Sequence, residues 1–385
     1  MSGNAVTLAL TGDVMLGRGV DQILPHPGDP VLREPCVRDA GSYVELAEAA
    51  NGPVPCPAEF AWPWGEALRT LDGLAPAARV CNLETSVTRS GDFAPCKDVH
   101  YRMNPANVSA LGVARPDVTV LANNHVLDFG VRGLLETLDT LAAAGLRTAG
   151  AGRNATEARA PAIVPLDGSA GGRLLVVSMG SPSSGIPRHW AATGKRPGVH
   201  VVRESSLADA EEVARRVGEL KRPGDVAIAS VHWGSNWGYD VPPEQVRSAH
   251  ALIDGGLNLV HGHSSHHPRP VELYRDRLVL YGCGDFIDDY EGIGGYGAYR
   301  DDLRLLYMVT LDTGTGLTAE VRLFPFQARR VRLLPASPAD TEWLRVTLDR
   351  VSAPFGARVE TDPPGVLTVR ARTDSRRNGA QPRCM

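Results

Sequence analysis

Five of the eleven histidines fall in two short stretches of the chain. "VHWGSNWGYD" (231–240) places His232 directly after the apolar run "DVAIASV" (225–231). "VHGHSSHHPRP" (260–270) places His261, His263, His266 and His267 after "LNLV" (257–260). Three further apolar runs end the same way: "TGDVMLGR" gives Asp13, "NLETS" gives Asn82 and Glu84, and "ANNHVLDFG" gives Asn123, Asn124, His125 and Asp128. Carboxylate, amide-oxygen and imidazole ligands suit Zn²⁺, Mn²⁺, Fe or a mixed pair, and the absence of a CxxC pair speaks against a structural zinc. A pair of such ions polarises substrate oxygens and activates water. Taken singly, each stretch has an ordinary reading: Asp13 as a helix cap near Met15, Asn123 and Asn124 as turn residues, "GHSSHH" as a plain loop. Recurrence at five run ends points to a shared site for divalent metal ions.

The elements that must position these residues follow from periodicity. "AVTLAL" (5–10), "ARVCNL" (78–83), "DVTVLA" (117–122), "RLLVVSM" (173–179), "DVAIASV" and "LNLV" read as buried strands bounded by Gly, Pro or Asp. Helical periodicity with glycine stops marks 131–145, 207–224 and 242–256, the last with proline in its first turn. Residues 269–286 alternate like a hairpin turning at Arg275–Asp276, and 303–335 like an antiparallel pair or meander. Strand–helix alternation followed by antiparallel strands predicts a layered α/β protein. In such a sheet the carboxyl ends of the strands line the ligand crevice, so residues distant in sequence can converge there. Segment 32–65 is Pro- and Ala-rich and is expected to be an insertion with a short helix, a candidate lid; 372–385 is polar and expected to be disordered.

The bulk numbers exclude several function classes. A chain of 385 residues, 43% hydrophobic, has ample material for a large core. A net charge of only −4 argues against nucleic acid or an anionic membrane as partner. The stretch "MSGNAVTLALTG" has no basic region and no apolar segment long enough for a signal peptide or anchor. The six cysteines show no framework and are expected to be reduced thiols in a cytoplasmic protein, with Cys36–Cys56 or Cys56–Cys96 the bridges that spacing would allow. Oligomeric state is left open.

The ensemble "LTGDVMLGRGVD", "NLETSVT", "YRMNPANVSAL", "ANNHVLDFG", "VHWGSNWGY", "VHGHSSHHPRPVELY" and "LYGCGDFIDDYEG" resembles the CapA-like (poly-γ-glutamate capsule protein) branch of the calcineurin-like metallophosphatase superfamily. The resemblance implies an α/β fold, a four-layer α/β/β/α sandwich over 1–335 with a lid at 32–65, followed by an α+β extension at 336–371. It also implies two divalent metal ions at one sheet edge. Asp13, Glu84, Asn124, His232 and His263 match metal ligands, and His125 matches the imidazole beside the substrate, with His266 or His267 as its catalytic partner. The chain departs from the phosphatase pattern at Met15, where those enzymes have histidine, and at Asn82–Glu84, where they have Gly-Asp. Ordinary phosphomonoester hydrolysis is thereby put in doubt.

CapA-like proteins are associated with poly-γ-glutamate, and a related branch epimerises a residue of lasso peptides. Both imply a peptide substrate. The leading expectation is a metal-dependent epimerase: cations stabilise charge built on the carbonyl when a Cα proton leaves, and two imidazoles serve the two faces. Metal-assisted hydrolysis of a phosphoester or amide, or a scaffold role in capsule biosynthesis, are the alternatives. Asn82, Arg18, Trp233 and Arg269 are expected at the substrate, the arginines as a carboxylate clamp. Trp237, Tyr239 and Tyr290 would complete an aromatic wall. Asp128 and Asp285 are expected to orient imidazoles. Asp288, Asp289 and Glu291 read equally as orienting groups or a solvated loop.

Overall fold

The computed structural model describes residues 5–166, 172–204 and 206–372. Two sheets pack face to face. Across the first run, in order, Ala357–Thr361, Leu367–Ala371, Thr318–Ala328, Leu303–Asp312, Ala5–Val14, Ala78–Leu83, Val118–Val120 and Arg147–Ala149. Asp285–Ile287 pairs in parallel with the end of Ala5–Val14. The second sheet runs Val271–Tyr274, Arg277–Leu280, Leu259–His263, Val226–His232, Arg173–Gly180 and Ala162–Pro165.

The central strands, such as Ala5–Val14, Arg173–Gly180 and Val226–His232, are buried on both faces because each sheet is covered twice. Leu8, Leu10, Val80 and Val118 of the first sheet meet Val176, Ile228, Leu259 and Leu280 of the second in a central core. The opposite face of the first sheet, through Ala9, Cys81 and Leu121, takes Leu134 and Leu141 of helix Gly130–Ala143. The opposite face of the second, through Val177, Ala229 and Val231, takes helices Leu207–Leu220 and Pro243–Asp254. The molecule is therefore the four-layer α/β/β/α sandwich expected from the sequence.

Local chemistry explains the elements. In Leu207–Leu220 the side chain of Ser206 accepts from the backbone of Asp209, and Ala210, Val213, Ala214 and Val217 form the buried stripe. Pro243 opens its helix where a missing N–H costs nothing. The expected hairpin turns at Arg275 and Asp276, both at positive φ (50° and 58°), the two-residue turn whose twist matches the flanking strands.

Residues 336–371 contribute helix Pro338–Ser352 and two strands that extend the first sheet, with Leu344, Leu348, Val359 and Leu367 inside the central core. Within 32–65 lies the expected short helix, Gly41–Asn51, burying Tyr43 and Ala47, and Trp64 is buried and donates to the Ala110 carbonyl at 2.6 Å. The expected disordered tail lies, from residue 373 on, outside the described residues. The five described cysteines are unpaired: Cys36, Cys56 and Cys96 are exposed, Cys81 and Cys283 buried. No helix among the described residues is long and apolar enough to cross a membrane.

Candidate metal centre

The period-2 alternation of the strands builds the centre. Along Val226–His232, Val226 and Ile228 point into the central core, so Ser230 and His232 continue the same row at the strand's carboxyl end. Along Leu259–His263 the row is Leu259, His261, His263. The two strands are parallel and in register, His232 opposite His263. In the first sheet Asp13 sits opposite Asn82 and, on its other side, Asp285. That second neighbour is reached only because Gly12 lacks a side chain: a Cβ there would lie 1.7 Å from the Gly284 carbonyl oxygen.

Asp13, His232 and His263 are fully buried, and one ligand atom from each falls within 4.8 Å of the others. Glu84 Oε1 is 3.7 Å from both His232 Nε2 and His125 Nε2. Asn124 Oδ1 is 2.9 Å from His232 Nε2. Asn82 donates through Nδ2 to Asp13 at 2.7 Å and to Glu84 at 3.3 Å, and accepts from Asn123 at 3.0 Å. Its amide nitrogen is thus engaged in holding the carboxylates and its oxygen by Asn123, which corrects its expected role at the substrate. Ser264, held at φ 101°, donates its backbone N–H to Asp13 Oδ2 at 3.1 Å.

A chain of hydrogen bonds fixes the tautomers. The Thr11 carbonyl can only accept, so His261 Nε2, 2.9 Å away, carries hydrogen. In the neutral ring Nδ1 then accepts from Ser230 Oγ at 3.1 Å, and that oxygen accepts from His263 Nε2 at 2.9 Å. His263 Nδ1 is left bare. By the same logic His232, donating from Nε2 to the Asn124 oxygen, has a bare Nδ1, and the two bare nitrogens face each other at 2.8 Å. Beside them, burial and then the charge of Asp285 push Asp13 up to about 7, and burial and then Asp13 push Glu84 well above the usual carboxylate range. Burial pushes His232 and His263 well below theirs. Opposed lone pairs and crowded carboxylates are what a divalent cation relieves, and the oxygen and imidazole donors fit one. Where the phosphatase pattern has a ligand histidine, Met15 is buried and accepts only from the Tyr290 hydroxyl, at 3.9 Å.

An imidazole–carboxylate pair stands on each side. His125 Nδ1 donates to Asp128 Oδ2 at 2.6 Å, leaving Nε2 toward Glu84. Asp128 is anchored by the Tyr101 N–H at 2.7 Å and by Lys97, which also donates to the Asn124 carbonyl. Burial, then Lys97, hold His125 well below its ordinary value. Opposite, His266 Nδ1 donates to Asp285 at 3.0 Å; burial alone would lower this imidazole, but Asp285 outweighs it and raises it. His266 lines a cavity of about 180 Å³ with Asn236, Trp237 and Tyr290.

Four expectations fail on geometry. His267 has both nitrogens committed to backbone, Nδ1 to the Pro268 carbonyl and Nε2 to the Gly238 N–H, both at 3.1 Å, so it cannot carry a substrate proton. Trp233 lies inside the outer core of the second sheet, its indole N–H on the Tyr281 carbonyl at 3.0 Å. Arg269 is buried and donates to the Asp240 carbonyl, away from the centre. Arg18 lies near the centre but is already paired with Asp289 and Glu34 and stacked on Tyr43 and Tyr101. Asp289 thereby belongs to this buried pair and not to a solvated loop. Trp237 and Tyr290 do line the cavity at His266, while Tyr239 packs edge-on against His267. Lys97 was missed: in "APCKDVH" nothing in spacing or periodicity marks it.

The family model described as "Bacterial capsule synthesis protein PGA_cap" matches residues 7–290. The chain is 52% identical over 372 residues to a "Probable polyglutamine synthesis accessory protein" of Mycobacterium tuberculosis, covering 96% of this chain and 97% of that one. It is 26% identical over 318 residues to the "PGA biosynthesis protein CapA" of Bacillus subtilis, covering 82% and 70%. A solved phosphatase structure from Mycoplasma pneumoniae overlaps 84% of this chain and 93% of that one at 9% identity, with a TM-score of 0.44, too low to bear on fold or activity. With three quarters of its length matched and the ligand-bearing turns inside that span, the chain belongs to the bacterial capsule synthesis protein PGA_cap family.

Proposed function

We propose that the chain is a metal-dependent accessory enzyme of glutamyl-polymer synthesis that breaks an amide bond of the polymer. The observation that carries this reading is the pair of imidazole–carboxylate couples, His125–Asp128 and His266–Asp285, flanking one buried donor set. Burying so many ionisable groups together costs several kcal/mol per uncompensated charge, a cost a pure scaffold has no reason to retain. The relatives' printed names, one for polyglutamine synthesis and one for PGA biosynthesis, support the substrate class.

Asp13, His232 and His263 would hold the metal, with Asn124 orienting His232 through its Nε2 and Glu84 standing beside that ring. When bound, a divalent ion polarises the scissile carbonyl and makes water acidic enough to attack near neutral pH. His125, its Nδ1 fixed by Asp128, presents Nε2 to the centre as the group that moves a proton there. His266, with Nε2 free toward the cavity, is placed to protonate the leaving amine. Asn82 and Ser264 hold Asp13 in place throughout.

The test is incubation of the metal-loaded chain with γ- and α-linked oligoglutamate in ¹⁸O water. Cleavage with one heavy oxygen per new carboxyl is the expected result. A second reading, epimerisation, is favoured by the two couples reaching the centre from different elements; it requires Cα exchange in deuterated water without cleavage. Metal retention with neither reaction would leave the scaffold role and overturn both.

A further inference from the structure

We propose that the chain carries a second ligand site, for a small organic oxyanion, on the outer face of the second sheet. It occupies a cavity of about 270 Å³ beside helix Leu207–Leu220 and strand Arg173–Gly180, lined by Arg159, His200 and Arg216 against Val177, Val213 and Val217. None of these residues belongs to the metal centre, and the inference is independent of the reaction there.

Three observations carry it. Among the described residues Arg159 and Arg216 make no close ion pair and no side-chain hydrogen bond, and the charge of Glu212 reaches them only at longer range, whereas Arg215, on the same rim, is held directly by Glu212 and Glu219. The one carboxylate on the cavity wall, Glu219, is thus already engaged by Arg215, and the donors of two guanidinium groups remain open toward the cavity rim. His200 is only 8% exposed, and its Nδ1 lies 3.0 Å from the Ser178 carbonyl, which can only accept. The neutral ring therefore has a bare Nε2 with no partner in the described chain. Both arginines act on this ring: burial first, and then their charges, push it down to about 4.

Two free guanidiniums beside a bare imidazole nitrogen make a receptor for an oxyanion. Hydrogen phosphate would give its O–H to Nε2 and its charged oxygens to the arginines; a carboxylate would bring a proton onto the ring. The valine wall takes a short apolar body, and the volume limits the ligand to a small metabolite.

The experiment titrates the full-length chain with inorganic phosphate and, separately, with glutarate, following the histidine ring resonances by NMR. The His200 signal is identified through His200→Gln. The expected result is saturable movement of that signal, weakened roughly tenfold or more in Arg216→Ala and lost in Arg159→Ala/Arg216→Ala, since each charge-assisted bond removed is worth that factor. Tighter binding of phosphate assigns a phosphate ligand, and tighter binding of glutarate a carboxylate with an apolar body. Arg216→Lys, which keeps charge and fold, should retain part of the affinity. An unmoved His200 signal with both probes, or movement confined to the histidines of the metal centre, would overturn the proposal.

Discussion

The two sheets bring opposite chemistry to their shared edge. The first supplies Asp13 and Glu84, held together by the Asn82 amide; burial, then Asp285, raise Asp13, and burial, then Asp13, raise Glu84 above the ordinary carboxylate range. The second supplies His232 and His263, imidazoles that burial holds far below theirs, backed by Ser230 and His261. One half lacks a cation and the other lacks a proton. A divalent ion held between them would satisfy both, and would then also clamp the two sheets together.

The largest expected effect breaks that clamp. His232→Ala and His263→Ala should each abolish activity and bound metal, whereas His125→Ala should abolish activity and keep most of the metal; parallel loss of both in His125→Ala would remove the assigned division of roles. A chelator should lower the melting temperature of the wild type by roughly 5 °C, taking about 4 kcal/mol for a site filled at a thousandfold excess over Kd and about 1 °C per kcal/mol from an unfolding entropy of about 2.1 cal/mol/K per residue. In His232→Ala the chelator should do nothing.

Arg18→Met asks whether the buried pair on the first-sheet side serves substrate or fold. It would leave Asp289 and Glu34 buried without their cation, at a cost of about 3–5 kcal/mol in urea unfolding. KM for oligoglutamate should stay put; a raised KM with unchanged stability would restore the carboxylate clamp.

How much of this was legible in the sequence depends on the distance over which a residue is satisfied. The strands, the hairpin at Arg275–Asp276 and the convergence of Asp13 with His232 follow from short-range pattern plus the rule that strand ends line the crevice. The partners of Arg18 do not: Asp289 lies 271 positions away, and only tertiary packing pairs them. His266 and His267 are neighbours of one type with opposite fates, because one ring meets Asp285 and the other meets backbone. Nothing local separates them. Trp233 likewise belongs to the strand row that faces the helices, while the adjacent His232 faces the other sheet.

His200 sharpens the comparison, since it is a buried imidazole with no metal-ligand carboxylate beside it. Its folded value of about 4 lies below the unfolded value near 6.5, so between them the unfolded chain binds the extra proton. Its contribution is full above about pH 6.5 and is lost as pH falls toward 4, by about 3 kcal/mol at most. Urea unfolding of the chelated chain from pH 7 to pH 4 should show this slope, and His200→Gln should reduce it, leaving the share of His261 and His267, which burial also pushes down to about 4. A slope unchanged in the variant would place the acid sensitivity elsewhere.

The smallest effect probes the relay behind the second-sheet half. Ser230→Ala removes the hydroxyl that accepts from His263 Nε2 and donates to His261 Nδ1. The His263 ring then loses the bond that keeps its hydrogen on Nε2 and its lone pair on Nδ1. Partners that orient a ligand imidazole in this way are typically worth roughly 10–100-fold in metal affinity, and no more is expected here because the ring stays buried between the same strands. Competition with a chromophoric chelator measures it directly. Asn82→Ala is the matching test on the first sheet, where the lost bonds orient Asp13 and Glu84 instead. If the two substitutions weaken metal to similar degrees, the halves contribute equally to the clamp. If Asn82→Ala costs far more, the carboxylate edge sets the affinity and the imidazole edge only completes it.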